Sequence, residues 1–374
     1  MKLLIALPSL EFGGIERTTI NLLRNIKKGQ AAVALHKRLE HYFRDINCTL
    51  YRFEDFGAFN PTLSLRSLYA YSKAIKQISH REKPDIVFGV MQFAPIYACC
   101  AKDLFLMKSK VVISYRGVVS VFLAKVPSFG RWARFLVHYS IRSASHIIVP
   151  SEGVKNDLIE HFGASASTIK VIYNGIDLEW VWGLAKKEID MKKASPWIIT
   201  SARLDTGQKD FLTLLKACRI VRDSQKVKLL IIGDGPHKHR VLSWIKEMSL
   251  GEDVVLLGFQ DNPFQYISKA DVFVLSSQFE GFGNVIVEAM ALGIPVIATD
   301  CPSGPGEIID HGINGFLVPV GDQKRIADNI LNILHDKDLR DRISRAGLKR
   351  AEDFSAAHMA QNYEKHFLEI LGSN

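Results

Sequence analysis

A chain of 374 residues is long enough for two domains of roughly 100–200 residues each. Its 47% hydrophobic and 23% charged residues are ordinary for a soluble globular protein, and no run of about 18 apolar residues is present that would span a membrane. The five cysteines, Cys48, Cys99, Cys100, Cys218 and Cys301, are odd in number and scattered, which argues against a disulfide framework or a zinc site and fits a reducing, cytoplasmic compartment.

The opening Met1-Lys2-Leu3-Leu4-Ile5-Ala6-Leu7 is a short apolar run followed by Glu11-Phe12-Gly13-Gly14, without a small-residue cleavage pattern. It reads as a buried first strand and not as a signal peptide. Gly13-Gly14-Ile15-Glu16-Arg17 then leads into a helical pattern; it lacks the Gly-x-Gly-x-x-Gly spacing of a dinucleotide site. After Lys27-Lys28-Gly29-Gln30 the chain passes directly to Ala31-Ala32-Val33-Ala34-Leu35, which is either a second strand or a lost one.

Further strand candidates are Ile86–Val90, Val111–Ser114, Ile147–Val149 and Val171–Ile172, then Trp197–Thr200, Lys228–Ile232, Val254–Leu257, Val272–Leu275 and Pro295–Ala298. Their apolar residues are consecutive, not alternating, as in parallel strands covered on both faces. Helical patterns lie between them, so the class is α/β. The series runs twice. The first half ends near Asn174-Gly175-Ile176-Asp177, a charged stretch without strand pattern follows, and the second half starts at Trp197. This places an N-terminal domain at 1–177, a linker at 178–195, a second domain at 196–354, and a last helix at 355–374 returning to the first.

Net charge is +9, unevenly spread. Residues 1–190 hold 26 Lys/Arg and 16 Asp/Glu, whereas residues 191–374 hold 22 and 23. Between Lys102 and Arg142 eight basic residues stand against Asp103 alone, interleaved with Phe122, Leu123, Phe129, Trp132, Phe135, Leu136 and Tyr139. Such a segment is either a solvated basic face or a contact with an anionic membrane or lipid-linked substrate. No nucleic-acid motif accompanies it, so nucleic acid is not expected as a partner.

The most specific string is Val272–Ile309. A strand leads into Gln278-Phe279-Glu280-Gly281-Phe282-Gly283-Asn284, a helix runs from about Val285 to Leu292, and Gly293 stops it. Glycines let a ligand approach the backbone, and a helix start exposes N–H groups that attract an anion such as a diphosphate. Glu288, about one turn inside, suits vicinal hydroxyls such as those of a ribose, while Glu280 suits another part of the same ligand. The backbone of Gly281, Phe282, Gly283, Asn284 and Val285 would line the middle. Arg203 and Lys209, in the loop after the strand Trp197–Thr200, offer a planar fork and a mobile charge for a diphosphate leaving group.

This string resembles the Glu-x7-Glu motif of retaining glycosyltransferase family 4, whose GT-B architecture has two facing Rossmann-like domains with parallel sheets and an interdomain cleft. The resemblance covers nearly the whole chain. It implies that Glu280 contacts the donor sugar, that Glu288 binds the ribose, and that Arg203 and Lys209 neutralise the diphosphate. Gly13 and Gly14 would approach the donor phosphate, and Arg116 would line the acceptor side. Ala202 departs slightly from the usual Gly-Arg start of the Arg203 loop. Asp300-Cys301-Pro302-Ser303-Gly304-Pro305-Gly306-Glu307 is similar to members that build lipid-linked oligosaccharides or surface polysaccharides, including lipopolysaccharide.

The expectation is therefore a metal-independent, retaining transferase that needs no cofactor. It would move a hexose or N-acetylhexosamine from a nucleotide-sugar, a UDP-sugar first, to a lipid-linked saccharide or polysaccharide. It would be cytoplasmic or peripheral on the cytoplasmic face of the inner membrane, with residues 102–142 as the contact. Two rivals are a catalytically silent sugar-nucleotide-binding scaffold subunit and a sugar-nucleotide epimerase.

Overall fold

A computed structural model of the protein describes residues 1–8, 13–124 and 130–372. Glu11 and Phe12, and Lys125 and Phe129 of the basic segment, lie outside the described residues. The chain divides into two compact units, Met1–Gly175 with Ala356–Asn374, and Ile176–Ser355.

The first unit runs β1 (Lys2–Leu7), α1 (Gly14–Asn25), β2 (Gln30–Leu35), β3 (Thr49–Arg52), α2 (Leu65–Glu82), β4 (Ile86–Val90), α3 (Ala94–Leu104) and β5 (Lys110–Ser114). It continues through α4 (Val119–Ala124), α5 (Gly130–Ser143), β6 (His146–Val149), α6 (Glu152–Phe162) and β7 (Ile169–Val171). The seven strands form one sheet in the order β3-β2-β1-β4-β5-β6-β7. Every pairing is parallel; Leu3 stands opposite Ala31 on one side and Ile86 on the other.

The consecutive apolar runs have the expected physical cause. Leu4 and Ala6 face a core built with Tyr71, Ile75, Tyr97 and Leu136 from α2, α3 and α5. Leu3, Ile5 and Leu7 face the opposite core, with Ile20 of α1. Both pleat faces of β1 are thus dry, so alternation disappears from the sequence. The Ala31–Leu35 run is an intact strand: β2, Gln30–Leu35, is paired along its length with β1. The edge strand β3 escaped sequence reading because Thr49-Leu50-Tyr51-Arg52 is half exposed and carries no apolar run.

The second unit runs α7 (Leu178–Ala185), β8 (Trp197–Ser201), α8 (Phe211–Ser224), β9 (Lys228–Ile232), α9 (Lys238–Glu247), β10 (Val254–Gly258), α10 (Phe264–Ile267) and β11 (Val272–Leu275). There follow α11 (Asn284–Ala291), β12 (Val296–Thr299), α12 (Pro305–Ile308), β13 (Phe316–Val318), α13 (Gln323–His335) and α14 (Lys337–Glu352). Its sheet order is β10-β9-β8-β11-β12-β13, again all parallel. The segment read as a linker holds a helix. Asp177 caps α7 by accepting from the Trp180 amide at 3.0 Å, and Val181 is fully buried in the core of this unit. The three-residue β13 was too short for sequence reading to find. The last helix, α15 (Ala356–Gly372), packs on the first unit, where Phe367 meets Phe88 at 5.5 Å between ring centroids.

One consequence of the strand order positions chemistry. In the second sheet β8 lies between β9 and β11, so the chain's winding reverses between β8 and β11. Ligands of such sheets bind beyond the carboxyl ends of the strands at this switch point. The loops that leave β8 and β11 carry Arg203, Lys209 and Glu280.

Candidate functional site

The loop after β8 turns tightly. Leu204 is fully buried and anchors it, while the neighbouring Arg203 is exposed. The amide of Lys209 donates to the Asp205 carbonyl at 2.8 Å, and that of Gly207 to Asp205 Oδ1 at 3.0 Å. Gly233, after β9, presses on the same loop. Its φ is +134°, and a Cβ there would overlap the Ala202 carbonyl oxygen. The Gly233-Asp234-Gly235-Pro236 turn is therefore a buttress of the Arg203 loop, tied further by the Leu204 amide donating to the Asp234 carbonyl at 3.0 Å.

The loops after β8 and β11 are zipped together. Lys209 and Ser277 form an antiparallel bridge. Around it the Gln278 amide donates to the Gln208 carbonyl at 2.8 Å and the Asp210 amide to the Ser276 carbonyl at 2.6 Å. This backbone contact delivers Lys209 to Glu280. The ammonium of Lys209 donates to Glu280 Oε1, and the Ser277 hydroxyl donates to the same oxygen at 2.6 Å. Both side chains are largely removed from solvent, at 15% and 9% exposed. Two groups expected to grip different parts of a ligand thus form one ion pair, in which each charge offsets the desolvation of the other.

The loop after β12 supports Glu280 from behind. Thr299 donates to the Ser277 carbonyl at 2.5 Å, and Ser303 to the Gly281 carbonyl at 3.1 Å. Gly304 has φ +90°, and a Cβ there would overlap the Phe282 carbonyl oxygen. The segment 300–307 that suggested a family subgroup thus has a mechanical part in shaping the Glu280 loop. Cys301 is buried beside it, and its thiol is pushed up to about 12, first by burial and then by the Glu280 carboxylate.

Gly283 precedes α11, whose first turn holds Asn284 and Val285. Glu288 is 3% exposed on this helix, among buried Ile286, Val287 and Ala289. Phe282 is 2% exposed, and its ring packs on that of Phe354 at 5.4 Å between centroids.

The remaining expected residues lie in the first unit. Gly13 is the extended N-cap residue of α1 and Gly14 its first residue. Arg116 follows β5, and its guanidinium donates to Asn174 Oδ1 at 2.7 Å, to the Tyr363 hydroxyl at 2.9 Å and to Ser114 Oγ at 3.3 Å. It is fixed by neutral groups from three parts of the unit, α15 included. Among the described residues no group of three or more His, Cys, Asp and Glu side chains is placed to hold a metal ion.

Ser277 and Thr299 were missed in the sequence. Their only signal is position: Ser277 lies two residues beyond β11, and Thr299 is the last residue of β12.

A sequence profile described as "Glycosyltransferase Family 4" matches residues 12–180, and one described as "Glycosyl transferases group 1" matches residues 184–350. The N-acetylgalactosamine-N,N'-diacetylbacillosaminyl-diphospho-undecaprenol 4-alpha-N-acetylgalactosaminyltransferase of Campylobacter jejuni is 30% identical, over 98% of this chain and 99% of its own. The chain belongs to glycosyltransferase family 4. The capsular polysaccharide biosynthesis glycosyltransferase CapM of Staphylococcus aureus is 28% identical over 90% of this chain and 88% of its own. The crystal structure of Anabaena Alr3699/HepE in complex with UDP and glucose shares the fold, with a TM-score of 0.83 and 23% identity over 98% of this chain and 99% of that one. The two parallel-sheet α/β units are those of the GT-B fold, and the protein is a glycosyltransferase.

Proposed function

We propose that the protein is a retaining glycosyltransferase that moves a hexose or N-acetylhexosamine from a UDP-sugar to a lipid-linked saccharide during polysaccharide or lipid-linked oligosaccharide assembly. The observation that carries the donor reading is the Lys209–Glu280 pair at the switch point of the second sheet, next to the start of α11. The acceptor reading is supported by the Campylobacter relative, whose name specifies a diphospho-undecaprenol-linked substrate.

In this reading the amides at the start of α11, with Arg203 and Lys209, hold the diphosphate. Glu288 accepts from the ribose hydroxyls. Glu280 orients the donor sugar and is itself held by Ser277 and Lys209. The bond between the anomeric carbon and the diphosphate oxygen breaks as negative charge grows on that oxygen. Preorganised positive groups stabilise this charge without reorganising. The acceptor hydroxyl forms the new bond on the same face, and its proton passes to the departing diphosphate oxygen. These charges come from the chain, so the reaction proceeds without an added metal ion. Within the first unit, Gly13, Gly14 and Arg116 are the residues this reading assigns to ligand contacts.

The test is a panel of UDP- and GDP-sugars with lipid-diphosphate saccharide acceptors, with and without a chelator, and the anomeric configuration of the product read by NMR. Transfer from a UDP-sugar with retention is expected. Tight nucleotide binding without turnover would sink the enzyme reading, and an inverted product would sink the mechanism.

A further inference from the structure

Outside the candidate site, the first unit carries a surface with unusual chemistry. Leu65 is 73% exposed, Tyr69 55%, Leu104 65%, Leu106 82%, Trp132 42% and Phe135 58%. They come from three segments distant in sequence: the start of α2, the end of α3, and α5. Three contacts join these segments in a closed ring. Trp132 of α5 donates its indole N–H to the Leu63 carbonyl before α2 at 2.9 Å. Tyr69 of α2 meets Phe105 after α3 at 5.7 Å between ring centroids. Tyr139 of α5 donates to Asp103 of α3 at 2.7 Å. The exposed side chains therefore belong to one continuous face; Trp132 and Phe135 stack on it with rings 19° apart.

Apart from Asp103, the charged residues of this face are basic. Arg66, Lys73, Lys108, Arg131 and Arg142 are exposed on it. Asp103 is the one acid of residues 64–81, 94–110 and 130–143, and it is already engaged by Tyr139, by Ser143 at 2.5 Å and by Lys102 at 3.7 Å. Arg134 turns away from the face to the His161 carbonyl at 2.8 Å.

We propose that this face docks on an anionic lipid bilayer. Cations draw the unit to the negative surface, and the leucines and aromatic rings then bury their apolar parts at the headgroup level, where Trp and Tyr are at home. Sequence reading placed the contact in residues 102–142. The structure adds the start of α2 and makes the surface a composite of helices. No helix among the described residues is long and apolar enough to cross a membrane, so the contact is peripheral. The proposal rests on the lipid-linked acceptor reading only for its purpose; the binding itself needs neither donor nor turnover.

The test is co-sedimentation of the full chain with vesicles of equimolar phosphatidylglycerol and phosphatidylcholine, against vesicles of phosphatidylcholine alone. The chain should partition onto the anionic vesicles and be released as salt rises. Two double variants, Leu65→Ser with Leu106→Ser and Arg131→Glu with Arg142→Glu, should each lose about tenfold in partition. Their melting temperatures should be unchanged, because all four side chains are exposed. Ile313→Ser, a 60% exposed site in the second unit, should bind like the parent. The proposal is overturned if the parent fails to bind anionic vesicles, or if the double variants bind as well as it does. It is equally overturned if size-exclusion shows a dimer that these variants dissolve while vesicle binding persists. Because no sugar nucleotide is present, failure here leaves the transfer reaction untouched.

Discussion

Glu280 accepts a hydrogen bond from Lys209, a residue 71 positions earlier in the chain, and the Ser277 hydroxyl donates to the same carboxylate oxygen. Lys209→Met would leave this poorly solvated carboxylate with one neutral donor. Breaking such a pair costs about 3 kcal/mol, which would lower the melting temperature by several degrees. Adding Glu280→Gln removes the stranded charge, so the double variant should be less destabilised than the sum of the singles. Strict additivity in thermal melts would show that the two side chains do not act together.

The two glutamates should separate kinetically. Glu280→Ala is expected to abolish transfer while nucleotide affinity stays mostly intact. Glu288→Ala should weaken nucleotide binding by about 10–100-fold, the equivalent of a hydrogen bond to a charged group at about 1.5–3 kcal/mol. Calorimetric titration with UDP, set beside transfer rates, checks both. Parent-like activity in both variants would remove them from the site.

Ser277 positions Glu280 and is not expected to touch the sugar. Ser277→Ala removes a net hydrogen bond of about 1 kcal/mol, so kcat should fall roughly five- to tenfold with KM for the donor nearly constant. Thr299→Val, which acts one bond further away through the Ser277 carbonyl, should give a smaller fall. A change in KM alone would mean that Ser277 binds the donor directly.

Gly304 tests the buttress. Gly304→Ala meets both a left-handed backbone at φ +90° and the Phe282 carbonyl oxygen, with a combined cost of about 2–4 kcal/mol. Chemical denaturation should show the loss, and transfer should fall further than stability alone explains, because the Glu280 loop must shift. A Gly304→Ala variant as stable and active as the parent would contradict the packing described.

Buried thiols should make the protein sensitive to alkali. The Cys99, Cys218 and Cys301 thiols are each pushed from the ordinary 9.0 up to about 12, chiefly by burial. An unfolded thiol loses its proton near pH 9 while the folded one keeps it, so the stabilising effect is complete below pH 9. It is lost as pH rises toward 12, at up to about 1.4 kcal/mol per pH unit for each thiol. Denaturation curves from pH 8 to about 10.5 should show falling stability. Cys218→Ala should make that slope shallower, and an unchanged slope would refute the assignment.

Much of this protein was determined by its sequence alone. Consecutive apolar runs at β1, β4 and β8 to β12 announced parallel strands because both faces of each sheet are covered, and such burial leaves a one-dimensional trace. The string from Glu280 to Glu288 was legible because strand, loop and helix follow one another without a break. Half-exposed β3 and three-residue β13 left no such trace, and α7 was hidden in a charged stretch where Val181 is the one fully buried residue. What only the tertiary structure decided was pairing across distance. Strand order brings the loops after β8 and β11 side by side, and a single backbone bridge between Lys209 and Ser277 then joins a lysine to a glutamate. The same holds for the ring of α2, α3 and α5. Pattern reports the burial of each segment against its own neighbours, whereas partners far apart in sequence are selected by the packing of whole elements.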